Sequence, residues 1–318
     1  MKSKLYLLIS LIVLASMALT ACGGTPTAAP ATEAPTAAMA TEAPTAAPTT
    51  AASNPDTIII GTTDKVASLD SADAYATRDW EILFNISDGL LRWKPGTTDL
   101  EPDLATDMGT ISSDGLTYTF TLKDGIKFGD GTPLTATVYA AQLNRLLTIG
   151  PSCPNDVADS LAVPFVKSIT APDDKTMVFT LKTPIAYFPQ LLAGAPYVAS
   201  DPNTFTADAC NLFPTAPIYG TGPWYISQYN PDEQMVFEPN PYYAGDLKPQ
   251  VKQIIVRYYS DPNTMALAVQ SGEIDIAWRF LSPEQLTPLE SVSGLTVGTI
   301  SGGAIRYLIL NHTMKPMD

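Results

Sequence analysis

The apolar residues of this chain fall into three regimes. Behind Lys2 and Lys4, Leu5 to Leu19 is almost continuously apolar. Residues 22–56 are nearly all Ala, Thr and Pro, with Met39 as the one large apolar side chain. From Thr57 onward, apolar runs alternate with turns. Thr57-Ile58-Ile59-Ile60-Gly61 is a continuous apolar run closed by Gly, the pattern of a buried strand. A loop follows from Thr62 to Ala76. Thr77 is expected to cap a helix with Asp79 and Glu81 near its start, where carboxylates suit the dipole. Trp80, Leu83, Phe84 and Ser87 are expected to share its inner face, with Gly89 as its stop.

Further along, Tyr118, Phe120 and Leu122 alternate with Thr residues, which predicts a half-buried strand. Ile126-Lys127-Phe128, followed by the turn Gly129-Asp130-Gly131, is read as part of a hairpin with it. Thr135 is expected to cap a helix running to Leu147, its apolar side formed by Val138, Leu143, Leu146 and Leu147. A second hairpin is expected through Pro172 to Lys175 into Met177 to Leu181. Val251 to Tyr259 reads as a strand, and Asp261-Pro262 opens a helix over 263–270 closed by Gly272. Ile274 to Ala277 is another strand. Alternating strands and helices predict a mixed α/β layered structure with hairpin insertions.

Composition narrows the function. The chain has 318 residues with a formal net charge of −14, which argues against a nucleic-acid partner. A single His leaves no imidazole-rich metal site, and His312 would have to serve any Ser-His-Asp triad. No Gly-x-Ser-x-Gly elbow occurs. Asp173-Asp174 is a turn rather than a catalytic pair. Gly129-Asp130-Gly131 lacks the Gly-Lys-Ser/Thr ending of a phosphate loop. No metal and no cofactor is expected.

The first apolar run is too short for a comfortable membrane span of about 20 residues and fits a secretory leader. It ends in Leu19-Thr20-Ala21-Cys22, which resembles the lipobox of bacterial lipoproteins. The resemblance implies a leader over 1–21 and lipidation of Cys22 as the mature N-terminus. The alternative is an ordinary leader that contains a Cys. Cleavage removes Lys2 and Lys4 and no acid, so the net charge passes from −14 to −16. In the segment 22–56 the octapeptide of 31–38 recurs unchanged at 40–47. With almost nothing to bury, this segment is expected to be a disordered, extended tether.

Six segments then carry a family resemblance in order. They are Leu100 to Ala105, Asp114 to Phe120, Asp130 to Ala136, Gly220 to Pro223, Asn240 to Tyr243, and Ser271 to Ala277. Together they resemble the N-terminal lobe of extracytoplasmic solute-binding proteins of peptide and nickel ABC importers. Val138 stands where the family usually has Asp, and Tyr243 where Trp is common. The resemblance implies a type II periplasmic-binding-protein-like α/β fold over 57–318, with an inserted hairpin-containing subdomain at about 96–185. Family members are roughly twice as long and enclose ligand between two lobes that close about a hinge. The chain is therefore expected to be the first lobe only, lacking the second, and to bind weakly alone.

The implied function is capture of peptides or similar solutes outside the membrane. Delivery is to an ABC permease whose partner subunits hydrolyse ATP, with the receptor held at the cell surface by its lipid. Tyr75, Ala76 and Thr77 lie where the family's cleft pairs with peptide backbone; an ordinary helix-capping loop is the alternative. Trp278 and Arg306 end strands near the expected hinge. Arg306 is a candidate for a ligand carboxylate, against a solvated surface Arg, and Trp278 a candidate platform, against packing. Cys153 and Cys210 form an even pair in an exported domain. A disulfide is expected, with two buried thiols as the alternative. The runners-up in function are a secreted lipoprotein hydrolase and a sensor presenting ligand to a membrane kinase.

Overall fold

The computed structural model describes residues 54–299, together with 310, 313 and 315. Cys22, Arg306 and His312 lie outside the described residues. A five-stranded mixed sheet has the order β11-β1-β10-β9-β8. It is built from β1 (Thr57–Thr62), β8 (Trp224–Asn230), β9 (Gln234–Pro239), β10 (Gln253–Tyr258) and β11 (Ile276–Ala277). β1 runs parallel to both β10 and β11, whereas β9 is antiparallel to β10 and β8. The apolar run at the start of the folded part thus becomes a central strand, which explains its uninterrupted Ile residues. Asn54 to Asp56 already belong to this fold. Thr57 N–H donates to the Asn54 carbonyl, and the Asp56 carbonyl accepts from Lys252 and Gln253.

One face of this sheet carries α1 (Thr77–Ile86). Leu83 and Ile86 pack there with Ile226, Met235 and Phe237. The other face carries α3 (Pro262–Ser271) and α4 (Pro283–Leu289), with Met265, Val269 and Ile274 packed against Ile59. α3 is capped as its sequence predicts. Asp261 accepts from the N–H groups of Asn263 and Thr264, and Gly272 ends the helix at φ 75°.

A second sheet has the order β4-β5-β7-β6. Its strands are β4 (Thr110–Ile111), β5 (Thr117–Thr121), β6 (Val166–Thr170) and β7 (Thr176–Leu181), all antiparallel. Against it lies α2 (Ala136–Thr148), whose Thr135 side chain accepts from Val138 N–H. Tyr118, Phe120, Met177 and Phe179 face Tyr139, Leu143 and Leu146 in the largest core. Phe188 and Tyr197 complete it with edge-on ring contacts. A two-stranded ribbon, β2 (Leu91–Trp93) with β3 (Leu100–Pro102), lies between these elements in sequence.

Three local expectations are corrected. Thr77 does not cap α1: Ala76 is the N-cap, makes no side-chain bond, and Thr77 is the first helical residue. The helix starts one residue early because Asp79 reaches back to bond the loop before it, where it accepts from Ala67 and Ser68 N–H. The inner face is accordingly Asp79, Leu83 and Ile86, with Phe84 43% exposed and Ser87, not Gly89, as the C-cap. Finally, Ile126 to Phe128 does not pair with β5. β5 turns back on β4 through 112–116, and Lys127 bridges Pro133 instead. The turn at 129–131 closes that smaller loop, with Phe128 N–H donating to the Thr132 carbonyl.

Candidate functional site

Because β1, β10 and β11 are parallel, their carboxyl ends emerge on one side. The register sets Ile60 beside Val256 and Ile276, and Thr62 beside Tyr258, on one face. Five strands spread over about 19 Å, while one helix covers about 10 Å of that width. α1 therefore leaves part of the face open. The result is a cavity of about 350 Å³ between α1 and the strand ends. Its floor is Ile60, Ile254, Val256, Phe237 and Trp224, and Ile82 forms its α1 wall. Open α/β sheets place ligands at the carboxyl ends of their strands for this geometric reason.

The rim is charged and interlocked. Arg78 Nη1 donates to Asp64 Oδ1 at 3.2 Å. Trp278 Nε1 donates to Glu81 Oε1 at 3.0 Å, and Arg279 Nη2 donates to Glu81 Oε2. The Arg279 guanidinium lies 5.6 Å from the Trp278 ring centre and 4.0 Å from Asp64 Oδ2. Arg279 and Phe280 both have positive φ, 66° and 58°. Each such non-glycine residue costs on the order of 1 kcal/mol. The reversal brings the Arg279 side chain back over the cavity, and the bonds to Glu81 offset that cost. The Tyr258 hydroxyl and Arg279 Nε are buried without a hydrogen-bond partner among the described residues. Burial, reinforced by Tyr229 and nearby carboxylates, pushes the Tyr258 hydroxyl well above its ordinary pKa, so it remains a donor.

The loop between β1 and α1 is tied from behind. Asp79 is fully buried, and burial, the largest influence on it, pushes its carboxyl above the usual carboxylate range against its backbone donors and Arg78. Asp70 is gripped by Arg145 at 2.7 and 2.6 Å and also accepts from Ala72 and Asn211 N–H. Nearby, Cys153 and Cys210 are joined in a disulfide across 57 residues. On the far side of Tyr258, Lys65 pairs with Asp232 at the edge of a second hollow of about 300 Å³.

Of the residues singled out in sequence, Trp278 lines the cavity. Tyr75 and Thr77 are exposed and Ala76 is half-buried, all at the start of α1 and outside the cavity lining. Asp64, Arg78, Glu81, Tyr258 and Arg279 were not distinguished by sequence. Glu81 read only as a helix-start acid, and its partners lie 197 and 198 residues away. The available signal was position: Tyr258, Trp278 and Arg279 end or follow parallel strands. Among the described residues, no three His, Cys, Asp or Glu side chains converge as a metal site, and no helix is long and apolar enough to cross a membrane.

The family model described as bacterial extracellular solute-binding proteins, family 5 Middle, matches residues 99–318. The chain belongs to that family. It is 32% identical over 275 residues to the probable D,D-dipeptide-binding periplasmic protein DdpA of Escherichia coli K12, covering 84% of this chain and 52% of that protein. The nickel-binding periplasmic protein of the same organism is 32% identical over 190 residues, 57% of this chain and 33% of the relative. Among solved structures, the Helicobacter pylori periplasmic binding protein DppA in complex with the peptide STSA superposes with a TM-score of 0.65 at 26% identity. That match covers 74% of this chain and 49% of DppA. The fold is that of type II periplasmic binding proteins, and the chain spans about half the length of such relatives. Members of this family are bacterial extracellular solute-binding proteins.

Proposed function

We propose that the cavity between α1 and the ends of β1, β10 and β11 forms one wall of the solute site in a peptide-binding receptor. The observation that carries this reading is an apolar floor at the strand ends edged by paired charges, Arg78 with Asp64 and Arg279 with Glu81. A concave apolar surface with a few placed polar groups is the usual make-up of a small-solute site. The site extends along the start of α1. Thr77 adjoins Arg78, so Tyr75, Ala76 and Thr77 supply the exposed margin that contacts ligand backbone, and Arg306 a further cation. Relatives are named for D,D-dipeptides, glutathione and di/tripeptides, which favours short peptides as the solute.

The mechanism is capture and release without covalent chemistry. The receptor hands its solute to an ABC permease, and separate subunits hydrolyse ATP. The lobe described here acts with a second lobe in the receptor. Cys22 carries the lipid that holds the protein to the outer face of the cell membrane, and the segment from Cys22 up to Asn54, where the fold begins, is the tether. Residues at about 96–185 are the inserted subdomain. The disulfide between Cys153 and Cys210 is a permanent structural clip, consistent with an oxidising compartment.

Calorimetry of the full-length receptor with short peptides, followed by mass analysis of the recovered solute, tests this reading. Saturable one-to-one binding with the peptide returned intact is expected. Cleaved product would instead favour the secreted hydrolase. Labelled palmitate should enter the wild type and not Cys22→Ala; equal labelling would contradict the anchor.

A further inference from the structure

Ile254, Val256 and Tyr258 alternate along β10, so their side chains stand in a row on one face of the sheet. Ile254 and Val256 belong to the cavity floor, and Tyr258, the last residue of the strand, stands where that floor ends. Tyr258 lines both hollows, and no other described residue does. On one side of it lies the apolar cavity of about 350 Å³. On the other lie Val66, Phe213, Tyr229 and Pro231 around the hollow of about 300 Å³. One aromatic ring thus divides two spaces that would otherwise be continuous. Its backbone is pinned, since Tyr258 N–H donates to the Glu233 carbonyl and Tyr259 N–H to the Thr62 carbonyl. The ring packs in the same cluster as Val66, Ile82 and Tyr229. Its hydroxyl is buried and bonds nothing among the described residues. Packing therefore holds the ring in place, and shortening the side chain breaks no hydrogen bond.

We propose that Tyr258 sets the length of the solute. The inference rests on the reading of this cavity as the solute site and adds a size limit to it. A peptide lying over Ile254, Val256 and Phe237 along the strand direction runs into the Tyr258 ring, so short peptides fit and longer ones are turned away. The cavity alone sits at the lower end of the range of about 300–1,000 Å³ that small-solute sites occupy, and joining the second hollow to it would nearly double the space. Replacing the ring by a shorter apolar side chain opens the way between them. Bulk added on the far side of the partition closes it again.

Calorimetry of the full-length receptor with Ala-Leu and Ala-Leu-Ala-Leu decides this. The wild type should bind the tetrapeptide at least about tenfold more weakly than the dipeptide, the scale of forcing extra bulk into a filled site. Tyr258→Leu should bring the two affinities within about threefold of each other, whatever happens to each alone. Val66→Phe added to that variant puts bulk back into the second hollow and should restore the gap, which a general loosening of the site would not allow. Comparable affinities in the wild type would overturn the size limit while leaving the solute site standing, and that comparison needs no variant to fold. So would a gap that persists in Tyr258→Leu, or one that Val66→Phe does not restore. Failure of Ala-Leu to bind the wild type would overturn the solute-site reading and the size limit together.

Discussion

At the residue scale, the site depends on Glu81, which holds Trp278 and Arg279 at once. Glu81→Gln keeps one acceptor but removes the charge that fixes Arg279. It should weaken peptide binding about tenfold, the scale of one lost charge-assisted bond, with little change in melting temperature because Glu81 is partly exposed. Binding unchanged by calorimetry would show that the rim does not organise the site. Asp88 gives a pH prediction. Burial, then the neighbouring Asp103, pushes its carboxyl up to about 8. Its folded pKa is raised, so its contribution is present at low pH and is lost as pH rises from about 4 to about 8. Asp88→Asn should be more stable than the wild type at pH 8 by at least about 1.4 kcal/mol, one pKa unit's worth, and the difference should vanish near pH 4. A pH-independent difference in denaturant unfolding would contradict this. Caps written locally were legible in sequence: Thr135 and Asp261 bond N–H groups within three residues. Thr77 was not, because Asp79 bonds a loop eleven and twelve residues upstream and moves the helix start.

At the scale of elements, strands were read well where burial on one or both faces leaves a period. β1 and β5 are examples, with Tyr118 and Phe120 inward as their alternation requires. The partner of a strand was less legible. Nothing local told Ile126 to Phe128 to fold on 132–134 rather than on β5, since both choices are closed by Gly-Asp turns. The ties between elements were hidden for the same reason. Asp70 and Arg145 are 75 residues apart, and their side chains are 0% and 2% exposed. Asp70→Asn leaves the Arg145 guanidinium buried without its charge partner, which should cost about 3–5 kcal/mol in denaturant unfolding. A cost below about 1 kcal/mol would mean that the backbone carbonyls of Thr206 and Ala209 suffice to hold it. The disulfide should contribute about 4 kcal/mol in the chain-entropy picture, since it closes a 57-residue separation. Alkylation without reductant should leave the mass of the unfolded chain unchanged; two added labels would contradict the bridge.

At the scale of the whole molecule, the family was legible because six segments kept its order. The site was legible only at Trp278, since its other members meet across the fold. The cavity has a floor and one helical wall, whereas a small-molecule site usually buries most of its ligand. Residues 1–318 should therefore bind short peptides only weakly, because this cavity buries few of a ligand's contacts. Submicromolar affinity in this chain alone would contradict that.

The most direct test of the central claim is to find where the solute lies. A dipeptide carrying a diazirine on an apolar carboxyl-terminal side chain would be photolysed on the full-length receptor, and the labelled residues mapped by mass spectrometry. Labels on Val256, Phe237 or Trp278, suppressed by unlabelled Ala-Leu, are the predicted result. Competable labelling confined to the β4-β5-β7-β6 sheet and α2 would contradict the account and move the solute site elsewhere in the molecule.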